Sequence, residues 1–451
     1  MSKTRRRDPN HALRGLMAEA GYSNTALASA VNRVGREVGL ALRYDRTAVS
    51  HWLAGTAPRR TAAPLIAETL SRRLGRPVGV AELGAPVRAE TMPGTRSSGA
   101  LAITEVTALA ELDGRPSRRA ATPIAYDLNW TRSVGAPPAP ADRRESSGER
   151  WRVGPGEAAL AEQAVALFAR SADRIGAGHV RSSISAYLVS PISGWLTSAA
   201  PDRTHRRLLT AAAQLVHLLA DVCADAGVYG LAQRYHAAEL RLAHEADDPV
   251  MRAMALRAMS KHARHLGHLA EAANLAETAL RTAGTGAAAS IRSFLLAEVA
   301  VTAALTGDAR RATRSMDRSL RLVEGKGGGV RHPFTHYPLA AAHFQHALVR
   351  EALREPGAAA EALRCSLAER DVSEHRALAH SLALLASFQL AGGRVETACE
   401  SWRVFLLHYR HLNSRQADQR LHELRSLLTP YRRSTAVQKI LCEAARVTAE
   451  K

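Results

Sequence analysis

Between Asp45 and Arg60 the chain reads DRTAVSHWLAGTAPRR, which puts an arginine, two hydroxyls and an imidazole within a few residues of each other. If Arg46 to Leu53 is helical, Val49, Trp52 and Leu53 fall at i, i+3 and i+4 and share one face, which would be buried. Arg46, Thr47, Ser50 and His51 then point the other way. Such side chains offer donors and acceptors suited to base edges and phosphates in a DNA groove. Gly55 and Pro58 follow as stop signals. Arg43 before the helix, and Arg59 and Arg60 after it, stand where phosphates would lie. A plain surface helix in an arginine-rich chain would carry similar letters, so this stretch needs a context.

Other chemistry is hard to assemble from the sequence. Gly325–Gly329 has lysine and glycines but not the GxxxxGK[ST] order of a phosphate loop, and neither HExxH nor a GxSxG with a convincing triad occurs. Among the 19 histidines, His262, His265 and His268 drift about 60° per step around a helix, so they do not converge on one ion. His332, His336, His343 and His346 lie near one another and could contribute to a ligand pocket. No Asp/Glu/Cys pattern completes a metal site around either set. The expectation is therefore a binding protein rather than an enzyme, with no cofactor and no metal. Tyr187, Trp195, Phe294, Phe344, Phe388, Trp402 and Phe405 read as helix-packing residues.

The chain has 451 residues, 46% hydrophobic but only 4% aromatic, so alanine and leucine carry the core and stacked helices are favoured over sheets. The net charge of +19 points to a polyanionic partner. It is concentrated at the front, where residues 1–83 hold 14 Lys/Arg against 6 Asp/Glu. Cys223, Cys365, Cys399 and Cys442 are widely spaced with no CxxC, which reads as buried free thiols in a reducing cytoplasm, with a disulfide pair as the alternative; a DNA-reading head would further associate the protein with the nucleoid. No apolar run follows the basic start, and no stretch approaches the roughly 20 apolar residues of a membrane span.

Three segments are expected. Residues 1–84 form a helical head with a basic arm, Arg5–Arg7, able to track phosphates. Asn10 can cap a first helix with Leu13, Leu16 and Met17 on one face. Ser23 or Asn24 can cap a second carrying Leu27, Ala28, Val31, Val34 and Val38. A fourth runs from about Ala63 to Leu74, with Leu65, Ile66, Thr69 and Leu70 inward, and stops at Gly75. Residues 85–155 read as a linker with one short helix near Ala100–Leu112 and a Pro/Gly/Ser-rich stretch at Gly135–Arg150. Residues 156–451 are almost unbroken amphipathic helix.

That last segment repeats. GVYGLA (Gly227–Ala232), GHLAEA (Gly267–Ala272), GDARRA (Gly307–Ala312), PGAAAEA (Pro356–Ala362) and GRVETA (Gly393–Ala398) each open the second helix of a hairpin. Taking Ala232, Ala272, Ala312, Ala362 and Ala398 as register marks gives spacings of 40, 40, 50 and 36. One hairpin cannot bury both its apolar faces. A stack of hairpins can, and it curves to present a concave surface suited to a peptide or protein segment.

Residues 10–84 resemble the helical DNA-binding domain of phage-repressor-like (XRE-type) regulators. The matching features are LAxxV at Leu27–Val31, AVSHWLAG at Ala48–Gly55, IAETL at Ile66–Leu70 and VAEL at Val80–Leu83. One departure stands out. Ala28 and Val49 are 21 positions apart, against about ten in the ordinary helix-turn-helix, so residues around Val34–Tyr44 must lengthen helix 2 or loop out. The repeats resemble tetratricopeptide (TPR) units with longer helices or turns. The whole layout resembles the Streptomyces-type actinobacterial regulators that join such a head to a TPR-like body. The resemblance implies an all-α chain, a helix-turn-helix domain followed by an α-solenoid of TPR-like hairpins. It further implies a homodimeric transcriptional regulator of double-stranded DNA, a repressor of development or secondary metabolism, whose body pairs subunits or receives a protein or peptide signal, without a membrane. The implied DNA contacts are Arg46, Thr47, Ser50 and His51 to bases, and Arg43, Arg59 and Arg60 to phosphates. A scaffold whose head binds DNA only weakly, or a peptide-gated regulator, would have the same layout.

Overall fold

The computed structural model describes residues 8–84, 102–114, 124–133, 153–324, 334 and 336–450. Among them the secondary structure is entirely helical, as the alanine- and leucine-rich composition requires. The arm Arg5–Arg7, the stretch Gly135–Arg150, and most of the glycine-rich insertion at Gly325–Pro338 lie outside the described residues.

The head is built from α1 (His11–Glu19), α2 (Asn24–Glu37), α3 (Arg46–Leu53) and α4 (Ala63–Leu74), closed by a 3-10 turn at Val80–Leu83. Each of the first three starts on a side-chain cap. Asn10, Ser23 and Asp45 accept hydrogen bonds from the amides of Leu13, Ala26 and Ala48, each cap worth about 1 kcal/mol. The core holds the expected set: Leu13, Leu16 and Met17 from α1, Leu27, Ala28, Val31 and Val34 from α2, Val49 and Trp52 from α3, and Leu65, Ile66 and Leu70 from α4.

The long α2–α3 connection resolves in both ways at once. Helix α2 runs on to Glu37, and Val38–Tyr44 then loop out before Asp45 caps α3. Asn32 pins the loop. Its Nδ2 donates to the Tyr44 carbonyl at 2.8 Å, and its Oδ1 accepts from the Tyr44 amide at 2.9 Å. The Tyr44 ring meets Trp52 edge-on with centroids 5.0 Å apart. The extra residues therefore fix α3 rather than loosen it.

Two pieces of the expected linker belong to packed cores. Helix α5 (Ala102–Asp113) places Ile103, Val106 and Leu109 in the same cluster as the first body helices. It is held at its ends by Arg181 on Asp113 (Nε to Oδ2 2.9 Å) and by the Glu245 carboxylate on the Ala102 amide at 3.1 Å. A second piece, Ile124–Asp127 leading into α6 (Leu128–Ser133), lies between head and body. Ala125 packs on the head core and Tyr126 is buried in the body core. Gln233 grips this backbone, donating to the Asp127 carbonyl at 2.8 Å and accepting from its amide at 3.0 Å. Gly230 is a glycine because any Cβ there would lie 2.0 Å from the Ile124 carbonyl oxygen.

The body opens with α7 (Pro155–Ile175) and α8 (Ala177–Tyr187). The latter continues through a π turn at Leu188–Ile192, containing Pro191, into α9 (Ser193–Thr197). Five hairpins follow among the described residues: α10 (Asp202–Asp225) with α11 (Tyr229–Glu245), α12 (Pro249–His265) with α13 (Leu269–Ala283), and α14 (Ala289–Leu305) with α15 (Ala309–Glu324). The last two are α16 (Leu339–Ala352) with α17 (Pro356–Ala368), and α18 (His375–Ala391) with α19 (Val395–Tyr409). Helices α20 (Arg415–Leu428) and α21 (Thr435–Glu450) cover the far end. Buried hydroxyls join helices within hairpins: Ser260 donates to the Ala272 carbonyl, Ser293 and Ser319 bond each other, and Ser366 donates to the Ala340 carbonyl.

The turn inside each hairpin needs one residue at positive φ, and this corrects the repeat register. Gly227, Gly267, Gly307 and Gly393 supply it, but in the fourth hairpin Arg354 does, at φ 64°. The buried alanine five residues later is Ala232, Ala272, Ala312 and Ala398 in four hairpins, and Ala359 rather than Ala362 in the fourth. The spacings become 40, 40, 47 and 39.

Two further expectations change. Cys223 and Cys399 are buried, but Cys365 is half-buried and Cys442 exposed, all four as free thiols. Among the described residues one helix, Asp202–Asp225, is long and apolar enough to cross a membrane by length and composition. In the fold it is the central core helix, with 83% of its apolar window buried.

The stack also returns on itself. Helix α18 packs against α7. The Asn413 amide donates to the Ile175 carbonyl, the Gly178 amide donates back to the Asn413 carbonyl, and the Ser414 hydroxyl donates to Asp225 at 2.8 Å. The turn between α19 and α20 is thus tied back to the first helices of the body.

Candidate nucleic-acid interface

Helix α3 is short, and its orientation comes from two buried side chains one turn apart. Val49 and Trp52 sit in the head core, 0% and 5% exposed, against Leu27 and Val31. Burying side chains of this size favours the docked helix by roughly 1.5–3 kcal/mol each. The opposite face is open: Arg46, Thr47, Ser50 and His51 are all exposed. Leu53, the third member of the expected buried face, is only half-buried.

The polar atoms on that face are partly ordered. Ser50 Oγ accepts from Asn24 Nδ2 at 3.1 Å and donates to the Arg46 carbonyl at 3.0 Å. Asn24, at the start of α2, thus joins the surface that α3 presents, a contributor beyond the residues that the sequence singles out. Its position at the first turn of α2 places its side chain beside Ser50 on the open face of α3. Arg43 lies on the pinned loop, Arg59 and Arg60 follow α3, and all are exposed. The seven residues are therefore contributed by one short helix and its two flanks.

The rest of the head is attached to the body, and the attachment avoids this face. Arg72 on α4 makes a bidentate pair with Glu37 at 2.7–2.9 Å and a further bond to Glu68 at 2.6 Å. Burial opposes the charge on Arg72, but the two carboxylates outweigh it and raise its pKa above the usual arginine range. Glu68 also meets His268 Nε2 of the body at 3.2 Å, with both side chains buried and the His268 ring stacked on Tyr126. Arg415 from α20 reaches the Arg36 carbonyl at 3.3 Å and the Ala226 carbonyl at 3.2 Å. The joint uses the end of α2 and the middle of α4, and leaves the outward side chains of α3 exposed to solvent.

The histidines of the two sequence clusters go to separate places, as the helical drift of the first set requires. His262 is buried beside His236, His265 bonds the Tyr229 hydroxyl at 2.7 Å, and His268 belongs to the head–body joint. Of the second set, His332 lies outside the described residues, while His336, His343 and His346 are half-buried. His346 accepts from Arg350 at 2.9 Å. Trp402 and Phe405 are fully buried, and Tyr187, Trp195, Phe294, Phe344 and Phe388 pack partly buried against core clusters. The body carries an open cleft of about 700 Å³ between α7 and α10, with Arg203, Arg206, Arg207 and Glu162 on its walls.

Against known families, residues 13–86 match the SP15 N-terminal domain. The match spans the head from α1 to just past the 3-10 turn and does not extend into the body. No curated protein matches the chain.

Proposed function

We propose that this protein is a sequence-specific double-stranded-DNA-binding transcriptional regulator rather than an enzyme. The observation that carries the reading is the division of α3, with Val49 and Trp52 locked inside and Arg46, Thr47, Ser50 and His51 outside, flanked by the exposed Arg43, Arg59 and Arg60. The concentration of positive charge in the first 83 residues and the resemblance to XRE-type heads support it. In this reading Arg46, Thr47, Ser50 and His51 touch base edges, Asn24 assists, and Arg43, Arg59 and Arg60 neutralise phosphates. The body pairs two copies, so that two heads meet two half-sites, and receives the signal. Repression of development or secondary metabolism is what the resemblance to actinobacterial regulators adds.

The test is selection of genomic DNA fragments by the purified chain at moderate salt, followed by titration of the recovered sequence at several salt concentrations. A recovered motif with two-fold symmetry is expected. Removing both Arg59 and Arg60 side chains should weaken binding to every sequence and flatten log K against log[salt] by about 0.9 for each phosphate no longer neutralised. His51→Ala should relax the motif instead. Uniform, salt-labile recovery with no motif, or a His51→Ala chain with unchanged preference, would sink the recognition face proposed here.

A further inference from the structure

Three consecutive body helices bring a set of metal-binding side chains together that no sequence spacing displays. Helix α10 contributes His217 and Asp221, α11 contributes His236 and Glu239, and α12 contributes His262. The three histidines and Glu239 are buried. Glu239 stands behind two of the rings, taking His217 Nδ1 at 2.9 Å and His236 Nδ1 at 2.7 Å. A carboxylate holding Nδ1–H fixes the tautomer and leaves Nε2 with its lone pair. Among the described residues, His236 Nε2 has no hydrogen-bond partner and neither nitrogen of His262 has one, although these atoms are buried. A buried polar atom without a partner costs about 1–3 kcal/mol, so unpartnered nitrogens on two neighbouring buried rings need a reason. Asp221 lies across from them, 3.7 Å from His262 Nε2 and 3.7 Å from His217 Nε2. One ligand atom each from Asp221, His236 and His262 lies within 4.8 Å of the others.

We infer that Asp221, His236 and His262 form a binding site for a divalent transition-metal ion of the zinc class, with the fourth position open to water and Glu239 as the carboxylate that orients His236. Imidazole nitrogens with one carboxylate oxygen are the donor set such ions take, and a carboxylate behind the ring is the usual companion of a ligating histidine. The alternative grouping of His217, His236 and Glu239 uses atoms that already satisfy one another by hydrogen bonds, so the unpartnered Nε2 side is the side that needs a ligand. Lys261 competes: its Nζ is 3.4 Å from Asp221 Oδ1. Its side chain is 42% exposed and can swing to solvent when an ion takes its place.

The experiment is titration of the tag-free, full-length chain with Co²⁺, read by visible ligand-field absorption and displaced by Zn²⁺. One equivalent with the strong bands of a four-coordinate site is expected. His262→Gln and Asp221→Asn should abolish the bands, and Glu239→Gln should weaken binding roughly ten- to a hundred-fold. His265→Gln, on the same helix but turned to Tyr229, should leave them intact. Lys261→Met keeps every ligand, removes the competing cation, and should tighten binding. This variant keeps the inference testable if the buried substitutions prevent folding. Absence of stoichiometric bands, bands that survive His262→Gln in a folded chain, or a Lys261→Met chain that binds no more tightly would each overturn the inference.

Discussion

Asn32 offers the sharpest test of how the head holds α3. Its amide closes two hydrogen bonds on the Tyr44 backbone, 2.8 and 2.9 Å long, and these lie between the long loop and the capped start of α3. Each bond of this kind contributes about 1 kcal/mol net, so Asn32→Ala should cost about 2 kcal/mol, felt first by the loop. At a tenfold change per 1.4 kcal/mol, the opening equilibrium at the Tyr44 amide should rise about 30-fold. Native-state hydrogen exchange reads this directly, with the amides of Leu27 and Val31 as the internal reference. They belong to the core of α2, whose packing against α4 does not pass through Asn32, so their protection should hold. Asn32→Asp should behave like the alanine variant. It keeps an acceptor for the Tyr44 amide but turns a second acceptor toward the Tyr44 carbonyl. Unchanged exchange at Tyr44 would refute the clamp. Equal loss of protection at Tyr44, Leu27 and Val31 would also refute it, because the loop would then have no stability of its own to lose.

Gly230→Ala should dislodge the Ile124–Asp127 backbone, because its Cβ would sit 2.0 Å from a carbonyl oxygen in a segment that Gln233 holds in place. We expect a loss of about 1–3 kcal/mol in thermal or denaturant unfolding, and none for Gly194→Ala, where a Cβ meets nothing within 4 Å. His380 sets an acid limit. Burial, followed by the charges of Arg376 and Arg420, depresses its pKa from 6.5 to about 3. The folded chain therefore keeps this ring neutral while the unfolded chain protonates it. Its contribution to stability is complete above pH 6.5 and is lost progressively as the pH falls toward 3. His380→Gln should remove that part of the slope in unfolding curves collected across this range, and an unchanged slope would show that His380 titrates alike in both states.

Much of the head is legible because its signals are local. Asn10 is a cap that residue type announces directly, the second cap is narrowed to Ser23 or Asn24, and the Val49–Trp52 spacing fixes which face of α3 is buried. The body's helices follow from the same periodicity. The displaced fourth register mark has a specific cause: glycine is the sequence signal for these turns, but the fourth takes its positive φ from Arg354, so the nearest glycine, Gly357, shifts the register. The Ile124–Asp127 segment reads as linker because four residues show no period. Its place is set by Gly230 and Gln233, more than a hundred positions along the chain. The buried histidines are illegible for the same reason. His217, His236 and His262 converge because three helices stack, and nothing in their individual spacing announces it. The return of Asn413 and Ser414 to Ile175 and Asp225 likewise depends on the accumulated curvature of the whole stack.

The way Ala125 and Tyr126 bridge the head and body cores has a geometrical consequence. Neighbouring residues of one short segment enter two different cores, while Glu68–His268 and Arg36–Arg415 fasten the same joint from other directions. A head held this way has little freedom to swivel. If two copies pair through their bodies, as proposed, the distance and angle between the two α3 helices are set like the jaws of a locked calliper. Half-sites on DNA recur on one side of the duplex about every 10–10.5 base pairs. Adding about five base pairs between them, half of that repeat, would turn the second half-site to the opposite side, and a locked pair of heads could not follow it.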